Sequence, residues 1–178
     1  STTGISIFQL EKGMDTGPVY LFEDVIIQDN EKTPDVLKKM SLMVPGLVLK
    51  TLEMITGNVL PIQQSGENIS YAPKISKEDG KLDWNNKSFD IFNKFRAFYG
   101  NPGVWTLLNE NRIVINNMRI SDQKNLSPGQ VSILASQLMV GTALGAIEIL
   151  ELTPAGRKTM SASEFIRGLL VKDGLKLG

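Results

Sequence analysis

The chain of 178 residues contains no cysteine and no histidine. Without cysteine it can form neither disulfides nor thiolate metal sites, which fits a cytoplasmic protein. Histidine is the side chain whose unperturbed pKa lies nearest neutrality, so a histidine base or metal ligand would have to come from outside these residues. The sequence therefore predicts no metal site.

Long apolar runs and targeting signals are also missing. No stretch of about 18 apolar residues occurs, so no membrane span is expected. The chain opens on Ser1-Thr2-Thr3, without the basic and apolar regions of a signal peptide. Because a strand pattern begins almost at once, we expect the chain to be a fragment or a processed product of a larger protein.

Positive and negative charges balance over the whole chain, but they are unevenly spread along it. Residues 1–73 carry 5 Lys or Arg and 9 Asp or Glu, whereas residues 74–178 carry 14 and 10. This division indicates two units, the second facing an anionic partner. An excess of this size also arises by chance, so charge alone does not identify nucleic acid as that partner.

The first part of the chain predicts two strands and a helix. Residues 4–10 and 18–27 have strand character and flank a loop with two glycines. The helix is expected to begin with Thr33 as its cap, and Pro45-Gly46 is expected to kink it or to divide it into two abutting helices. Its apolar stripe at spacings of three and four is predicted to comprise Leu37, Met40, Val44, Leu47, Thr51 and Ile55.

The second part follows a polar segment with several Pro and Gly residues. We predict a unit over 1–64, a linker over 65–82 and a second unit over 83–178. The second unit begins with an amphipathic helix at 87–98. A small barrel is then indicated by five short strands, at residues 104–108, 112–120, 129–134, 138–140 and 146–152.

A closing helix is expected after the last of these strands. Ser161 is placed as its N-cap, and Glu164 follows three residues later, which is the spacing of a capping box.

The motif Asp15-Thr16-Gly17 raises the question of catalysis. One interpretation is an aspartic-protease-like homodimer, in which two carboxylates share a proton. The segment LMVG at 138–141 fits that pattern, but Lys12-Gly13 breaks the approach to the motif and the predicted helices do not suit an all-β protease. The simplest alternative makes Asp15 a turn residue that hydrogen-bonds its own backbone.

Four ordered blocks closely resemble methionyl-tRNA formyltransferases. They are TGISIFQLEKGMDTGPVY, YAPKISKEDGKLDW, RAFYGNPGVW and LTPAGRKTMSASEFIRG. The resemblance covers nearly the whole chain, and its last two blocks belong to the C-terminal domain of that family. It implies an α/β remnant of a Rossmann-like formyltransferase domain followed by a small OB-like β-barrel domain.

The resemblance also implies a reaction. A formyl group passes from 10-formyltetrahydrofolate to the amino group of methionyl initiator tRNA, with no metal. It makes Asp15 the catalytic carboxylate and places the backbone of Lys12, Gly13 and Met14 against the pterin. The catalytic Asn and His of the family lie upstream of residue 1, so this chain alone is expected to be inactive. The intact parent would be a cytoplasmic monomer.

The second unit and the linker before it are then expected to bind tRNA through their cations. The candidate contacts are Lys74, Lys77, Lys81, Arg96, Arg157 and Lys158.

Each of these residues has a plainer alternative. Lys77 and Lys81 can pair with Glu78, Asp79 or Asp83, and Arg96 can brace its helix against a nearby carbonyl. Trp84 and Trp105 can stack on bases, but both lie among apolar residues and suit a core. A non-catalytic tRNA-binding module is the alternative function.

Overall fold

The computed structural model describes residues 1–67, 69–123, 125–170 and 174–178. The chain divides into two units, Ser1–Pro73 and Lys74–Gly178. The first contains two strands and a long helix, and the second contains a β-sheet with two short helices. The architecture is therefore mixed α/β with a β-sheet domain, as the sequence predicted at that level.

A hairpin opens the first unit. Strands β1 (Thr2–Phe8) and β2 (Val19–Ile26) pair antiparallel, with Thr2 opposite Ile26. Both strands were expected from the β-branched and apolar residues on either side of the glycine loop. The pair by itself is not the parallel sheet that defines a Rossmann-like domain.

The helix α1 runs from Thr33 to Thr56 and contacts both strands of the hairpin. The prediction of Thr33 as the cap is wrong. Lys32 occupies the cap position, and its N–H donates to Oδ2 of Asp35 at 3.0 Å. Of the two outcomes predicted at Pro45, the division into two helices is wrong, because α1 continues through this residue as one element. A proline deletes one N–H donor, and the flanking turns hold the helix together here.

The predicted apolar stripe of α1 is only partly correct. Met40, Leu47 and Thr51 do lie on its more buried side, but Leu37, Val44 and Ile55 are exposed. The helix carries apolar residues over more than half of its circumference, so spacing alone could not select the packed side. The buried side comprises Val36, Met40, Met43, Leu47, Thr51 and Met54.

The second unit is built on a six-stranded sheet. All five predicted strands and the predicted helix at 87–98 are confirmed with small shifts of their ends, and the two-residue strand β8 was not anticipated. The elements are α2 (Ser88–Ala97), β3 (Val104–Leu108), β4 (Asn111–Ser121), β5 (Val131–Leu134), β6 (Gln137–Gly141), β7 (Ala146–Pro154), β8 (Met160–Ser161) and α3 (Ala162–Arg167). A single 3₁₀ turn at Glu78–Gly80 precedes them.

The sheet has the strand order β3-β4-β7-β6-β5, with β8 added beside β7, and every pairing is antiparallel. The C-terminal residues contact both ends of that order. Leu107 and Gly178 exchange backbone hydrogen bonds of 3.2 and 3.1 Å, and the N–H of Leu177 donates to the carbonyl of Gly129 at 2.8 Å. The last residues of the chain therefore bridge the strand β3 and the segment that leads into β5.

The core of the second unit lies between the sheet and its two helices. Trp84 is 3% exposed, and its Nε1 donates to Oγ1 of the fully buried Thr106 at 2.9 Å. This hydrogen bond satisfies the one polar atom of the indole, which agrees with the core interpretation of Trp84. The most buried large side chains of the cluster are Leu82, Phe95, Val104, Val140, Ile147, Ile149 and Leu152.

The capping box predicted for α3 is confirmed. The Oγ of Ser161 accepts from the N–H of Glu164 at 3.3 Å, and the carboxylate of Glu164 accepts from the N–H of Ser161 at 2.8 Å. The Ser161 hydroxyl also donates to this carboxylate. These hydrogen bonds lower the pKa of Glu164, first through the hydroxyl and second through the backbone N–H.

Candidate functional site

Asp15 lies on the exposed turn between β1 and β2. Its φ is +54°, a left-handed conformation that Asp tolerates better than most residues. Its carboxylate forms no hydrogen bond to the described residues, so the alternative of a side chain bonded to its own turn does not hold. The carboxylate is therefore open to solvent and available to a ligand.

The side chain of Gln64 fixes the backbone of this turn. Its Nε2 donates to the carbonyl of Asp15 at 3.0 Å and to the carbonyl of Gly17 at 2.6 Å. Gly17 is buried, and a β-carbon there would overlap the carbonyl of Gln9. The glycine and the amide together hold the Asp15 turn against the base of the hairpin.

Gln64 was not among the predicted site residues. It lies 49 positions from Asp15 in a polar segment, and the sequence carries no periodic signal there. Its position follows from a bridge between β2 and the residues after α1, where Val19 and Ile62 exchange backbone hydrogen bonds of 2.8 Å.

The loop before Asp15 is equally open. Lys12, Gly13 and Met14 are all exposed, and Met14 retains 91% of its accessible surface. An exposed methionine and free backbone groups suit contact with a flat heterocycle. The loop supplies one carboxylate and an accessible backbone, but no side chain that would act as a neutral-pH acid.

The expected ion pairs of Lys77 and Lys81 are not formed. Among the described residues no carboxylate lies within ion-pair distance of either lysine, and both are exposed. The nearby acids have other partners, because Oδ2 of Asp79 accepts from the N–H and hydroxyl of Ser76, and Oδ1 of Asp83 accepts from Asn85. Those hydrogen bonds lower the pKa of Asp79 and of Asp83.

Arg96 is half-buried on α2. Its Nη2 donates to Oδ1 of Asn93 at 2.7 Å, and its guanidinium lies 5.8 Å from the centre of the Phe92 ring. Arg96 thus contacts side chains of its own helix, which agrees with the alternative interpretation that it braces this helix. Lys74, by contrast, is exposed at the start of the second unit.

Arg157 and Lys158 are exposed in the turn between β7 and β8. The N–H of Arg157 donates to the carbonyl of Pro154 at 3.0 Å, which makes the turn tight. Beside it is a cleft of about 370 Å³, lined by apolar and polar residues that include Leu108, Arg157 and Glu164. The structure thus presents Arg157 at the rim of a concave surface, and Lys158 follows it in the exposed turn.

The described residues form neither a metal site nor a membrane-spanning helix. In the described ranges no three His, Cys, Asp or Glu side chains come together as a metal site would require. None of the helices there has both the length and the apolar character needed to cross a bilayer.

Comparison with known families gives one match over more than half of the chain. Residues 74–170 match the family described as "Formyl transferase, C-terminal domain". This range contains α2, the six-stranded sheet and α3, so the match covers the second unit except for its last residues.

Similar full-length proteins extend the likeness into the first unit. The methionyl-tRNA formyltransferase of Thermodesulfovibrio yellowstonii is 34% identical over 174 residues, which are 97% of this chain and 56% of that protein. The enzyme of the same name from Renibacterium salmoninarum is 34% identical over 99% of this chain and 58% of its own length. The chain therefore spans a little over half the length of the relatives it matches.

Solved structures show the same fold at lower identity. HypX from Aquifex aeolicus in complex with tetrahydrofolic acid has a TM-score of 0.65 and 19% identity over 98% of this chain and 34% of its own. An N-formyltransferase from Helicobacter canadensis in complex with folinic acid and dTDP-3-aminofucose has a TM-score of 0.66 and 19% identity, over 83% and 55%. The fold is shared with both proteins.

Proposed function

Because the chain belongs to the formyl transferase family through the C-terminal domain of that family, we propose that its protein is a methionyl-tRNA formyltransferase. The reaction moves a formyl group from 10-formyltetrahydrofolate to the α-amino group of methionyl initiator tRNA. The observation that carries the proposal is the exposed carboxylate of Asp15, on a turn fixed by Gln64, in a chain 34% identical to enzymes of that name. A cytoplasmic location is part of the same proposal.

The chemistry assigns a clear role to Asp15. The amine attacks the formyl carbon, a C–N bond forms, and the bond from that carbon to N10 of the folate breaks. The amine nitrogen must lose a proton and N10 must gain one. A carboxylate next to the reacting amine accepts that proton directly or through one water. The tetrahedral oxyanion needs a separate donor, which these residues do not supply.

The folate is expected to lie along the loop before Asp15. Lys12, Gly13 and Met14 offer exposed backbone groups and one apolar side chain. Structures of the same fold are described with tetrahydrofolic acid and with folinic acid. Those ligands share the pterin that this loop would contact.

The first unit has the features of a part of a larger α/β catalytic domain. A second stripe of α1 is exposed, next to the stripe that packs on the hairpin; it comprises Leu37, Val44, Val48, Leu52 and Ile55. Apolar residues left uncovered on a helix are usually buried by a partner element. We assign that cover to the remainder of a Rossmann-like domain, which fits a chain that spans 56% of its relative.

The second unit is assigned to tRNA binding as a small OB-like barrel. The bridging of β3 and the approach to β5 by residues 177 and 178 supports closure of the sheet. Small barrels of this kind bind oligonucleotides on one face and its loops. The exposed lysines and arginines named above supply the charge that phosphates require.

A chimera tests the proposal. The upstream residues of the Thermodesulfovibrio yellowstonii enzyme are joined to this chain, and formylation of methionyl-tRNA is measured with 10-formyltetrahydrofolate. The chimera should turn over, and Asp15→Asn should lower kcat by about 10²–10⁴-fold. Asp24→Asn, an exposed aspartate on β2, is the matched control and should retain activity.

The 178-residue chain is assayed in parallel. It should bind initiator tRNA without formylating it, which is also what a non-catalytic binding module would do. The chimera distinguishes the formyltransferase from the non-catalytic binding module. A folded chimera that binds tRNA but remains inactive would favour the binding module, and an Asp15→Asn variant as active as the Asp24→Asn control would remove Asp15 from catalysis.

A further inference from the structure

Trp105 lies on the outer face of the sheet but is nearly covered. Its neighbours Val104 and Thr106 point into the core, so the indole points the other way. It is 7% exposed because the segment Lys77–Lys81 crosses it. Its Nε1 donates to the carbonyl of Lys77 at 2.9 Å, and its own carbonyl accepts from the N–H of Leu82 at 2.8 Å.

A glycine allows that close crossing. Gly80 is buried, and a β-carbon there would overlap the carbonyl of Gly103. The segment therefore lies flat against the edge strand β3, and Nζ of Lys81 is 5.8 Å from the centre of the Trp105 ring. One lysine of the segment is thus held at the indole by the backbone packing.

Arg112 reaches the same ring from β4. Leu107 is opposite Arg112 in the β3–β4 register, which puts Arg112 and Trp105 on one face as diagonal neighbours. The guanidinium carbon is 4.3 Å from the ring centre, within the range of a strong cation–π contact. Arg112 was not among the residues that the sequence singled out, because its role depends on this register.

The guanidinium of Arg112 has unused donors. Its Nε is buried without a hydrogen-bond partner, and its two Nη groups form no hydrogen bond to the described residues. Nor does any described carboxylate come within ion-pair distance. Contact with the indole holds the guanidinium in place, so its Nη groups are pre-organised for an anion with two oxygens, such as a phosphate.

Arg112 also adjoins the turn that carries Arg157 and Lys158. Its carbonyl accepts from the N–H of Ala155 at 3.0 Å, and the turn closes two residues later. Arg112 therefore lies next to two segments that are far apart in the sequence. One carries Lys77 and Lys81, and the other carries Arg157 and Lys158. None of the five has a described carboxylate within ion-pair distance.

We propose that Arg112, held against the Trp105 ring, contacts a tRNA phosphate and joins these five cations into one phosphate-binding surface. The inference rests on the proposed tRNA-binding function. A single phosphate cannot engage cations spread over β4, the Lys77–Lys81 segment and the β7–β8 turn, whereas a nucleic acid backbone presents phosphates in series.

The test measures binding of labelled initiator tRNA to the 178-residue chain between about 50 and about 200 mM salt. Arg112→Gln should weaken binding roughly threefold to tenfold at the lower salt and reduce the slope of log K against log salt by about 1. Arg112→Lys keeps the charge, so it should retain the slope. It should lose affinity, because lysine lacks the planar guanidinium with its paired donors. Lys50→Gln, an exposed lysine of α1, is the control and should match the unchanged chain.

The outcomes separate the two levels of inference. If the unchanged chain shows no salt-dependent tRNA binding, the proposed tRNA-binding function fails. If it binds and Arg112→Gln has the affinity and slope of Lys50→Gln, the role of Arg112 is overturned. If Arg112→Gln does not fold, Arg112→Lys decides: reduced affinity at the original slope supports the contact, and unchanged affinity removes it.

Discussion

The two units bury their apolar side chains to very different extents. Of 21 buried apolar residues in the described parts of the chain, Val25 alone lies in Ser1–Pro73. That unit instead holds 16 of the 22 large apolar residues that are exposed. The second unit thus has a core of its own. The first unit forms its strands and helix but leaves many apolar side chains exposed.

This difference matches the division of labour that we propose. A sheet domain with its own core can bind a large anionic partner as an independent module. A hairpin and helix with an open apolar stripe need further elements to become rigid, and Asp15, which we propose as the catalytic carboxylate, needs that rigidity to be positioned. Stability should therefore reside in the second unit.

The largest effect is expected from a cavity in the second core. Ile147 is fully buried, so Ile147→Ala should lower the free energy of unfolding by about 2–5 kcal/mol. Both tryptophans lie in this unit, so their fluorescence during urea unfolding measures it selectively. Leu52→Ala, on the exposed stripe of α1, is the control and should change that transition by less than about 0.5 kcal/mol. Equal effects of the two substitutions would contradict the comparison.

A smaller effect is expected from the buried hydrogen bond of Trp84. Thr106→Val should cost about 1–3 kcal/mol, because it leaves the indole Nε1 buried without an acceptor. Trp84→Phe in the Thr106→Val background should cost less than Trp84→Phe alone, since the unpaired donor is then removed. Urea unfolding of the original chain and of these three variants gives the coupling energy, and strict additivity would show that the hydrogen bond contributes nothing.

A still smaller effect on stability, which depends on pH, is expected from the capping box of α3. Ser161→Ala should cost about 1 kcal/mol at neutral pH. Because the Ser161 hydrogen bonds lower the pKa of Glu164 in the folded chain, they stabilise it above the ordinary value of 4.5, and that stabilisation is lost as the pH falls through the lowered pKa. The difference between the variant and the original chain should therefore shrink at acidic pH, as measured by thermal unfolding. A constant difference across that range would exclude Glu164 as its source.

Sequence patterns found the elements but not the packed side of α1. Strands with clear alternation and turn signals were located within a few residues, and the capping box of α3 was correct in detail. The buried stripe of α1 was misplaced by about one position, at Val36 instead of Leu37. An apolar helix with two adjacent stripes has no periodicity that says which one packs, since this depends on the neighbouring elements.

The sequence likewise identified only some of the residues at the candidate sites. Asp15 was recognisable from its motif, and its exposed position is compatible with the role assigned to it. Gln64 and Arg112 were not recognisable, because one contacts the Asp15 turn across 49 positions and the other depends on the register of β3 and β4. Long-range contacts of single polar residues leave no local pattern. Nor did composition show that Asp79 and Asp83 would bond to Ser76 and Asn85 instead of to lysines.

The smallest effect in the isolated chain is expected on the exposed stripe of α1, and it tests what covers that stripe. Val48 is 41% exposed, so Val48→Gln should change the unfolding of α1, followed by far-ultraviolet circular dichroism, by less than about 0.5 kcal/mol. In the chimera that supplies the upstream residues, the same glutamine would be buried without a partner and should cost about 1–3 kcal/mol. Lys38→Gln, an exposed polar position on the same helix, should be neutral in both proteins. If Val48→Gln is as mild in the chimera as in the chain, the stripe is not covered by the catalytic domain, and the open surface of the first unit needs another explanation.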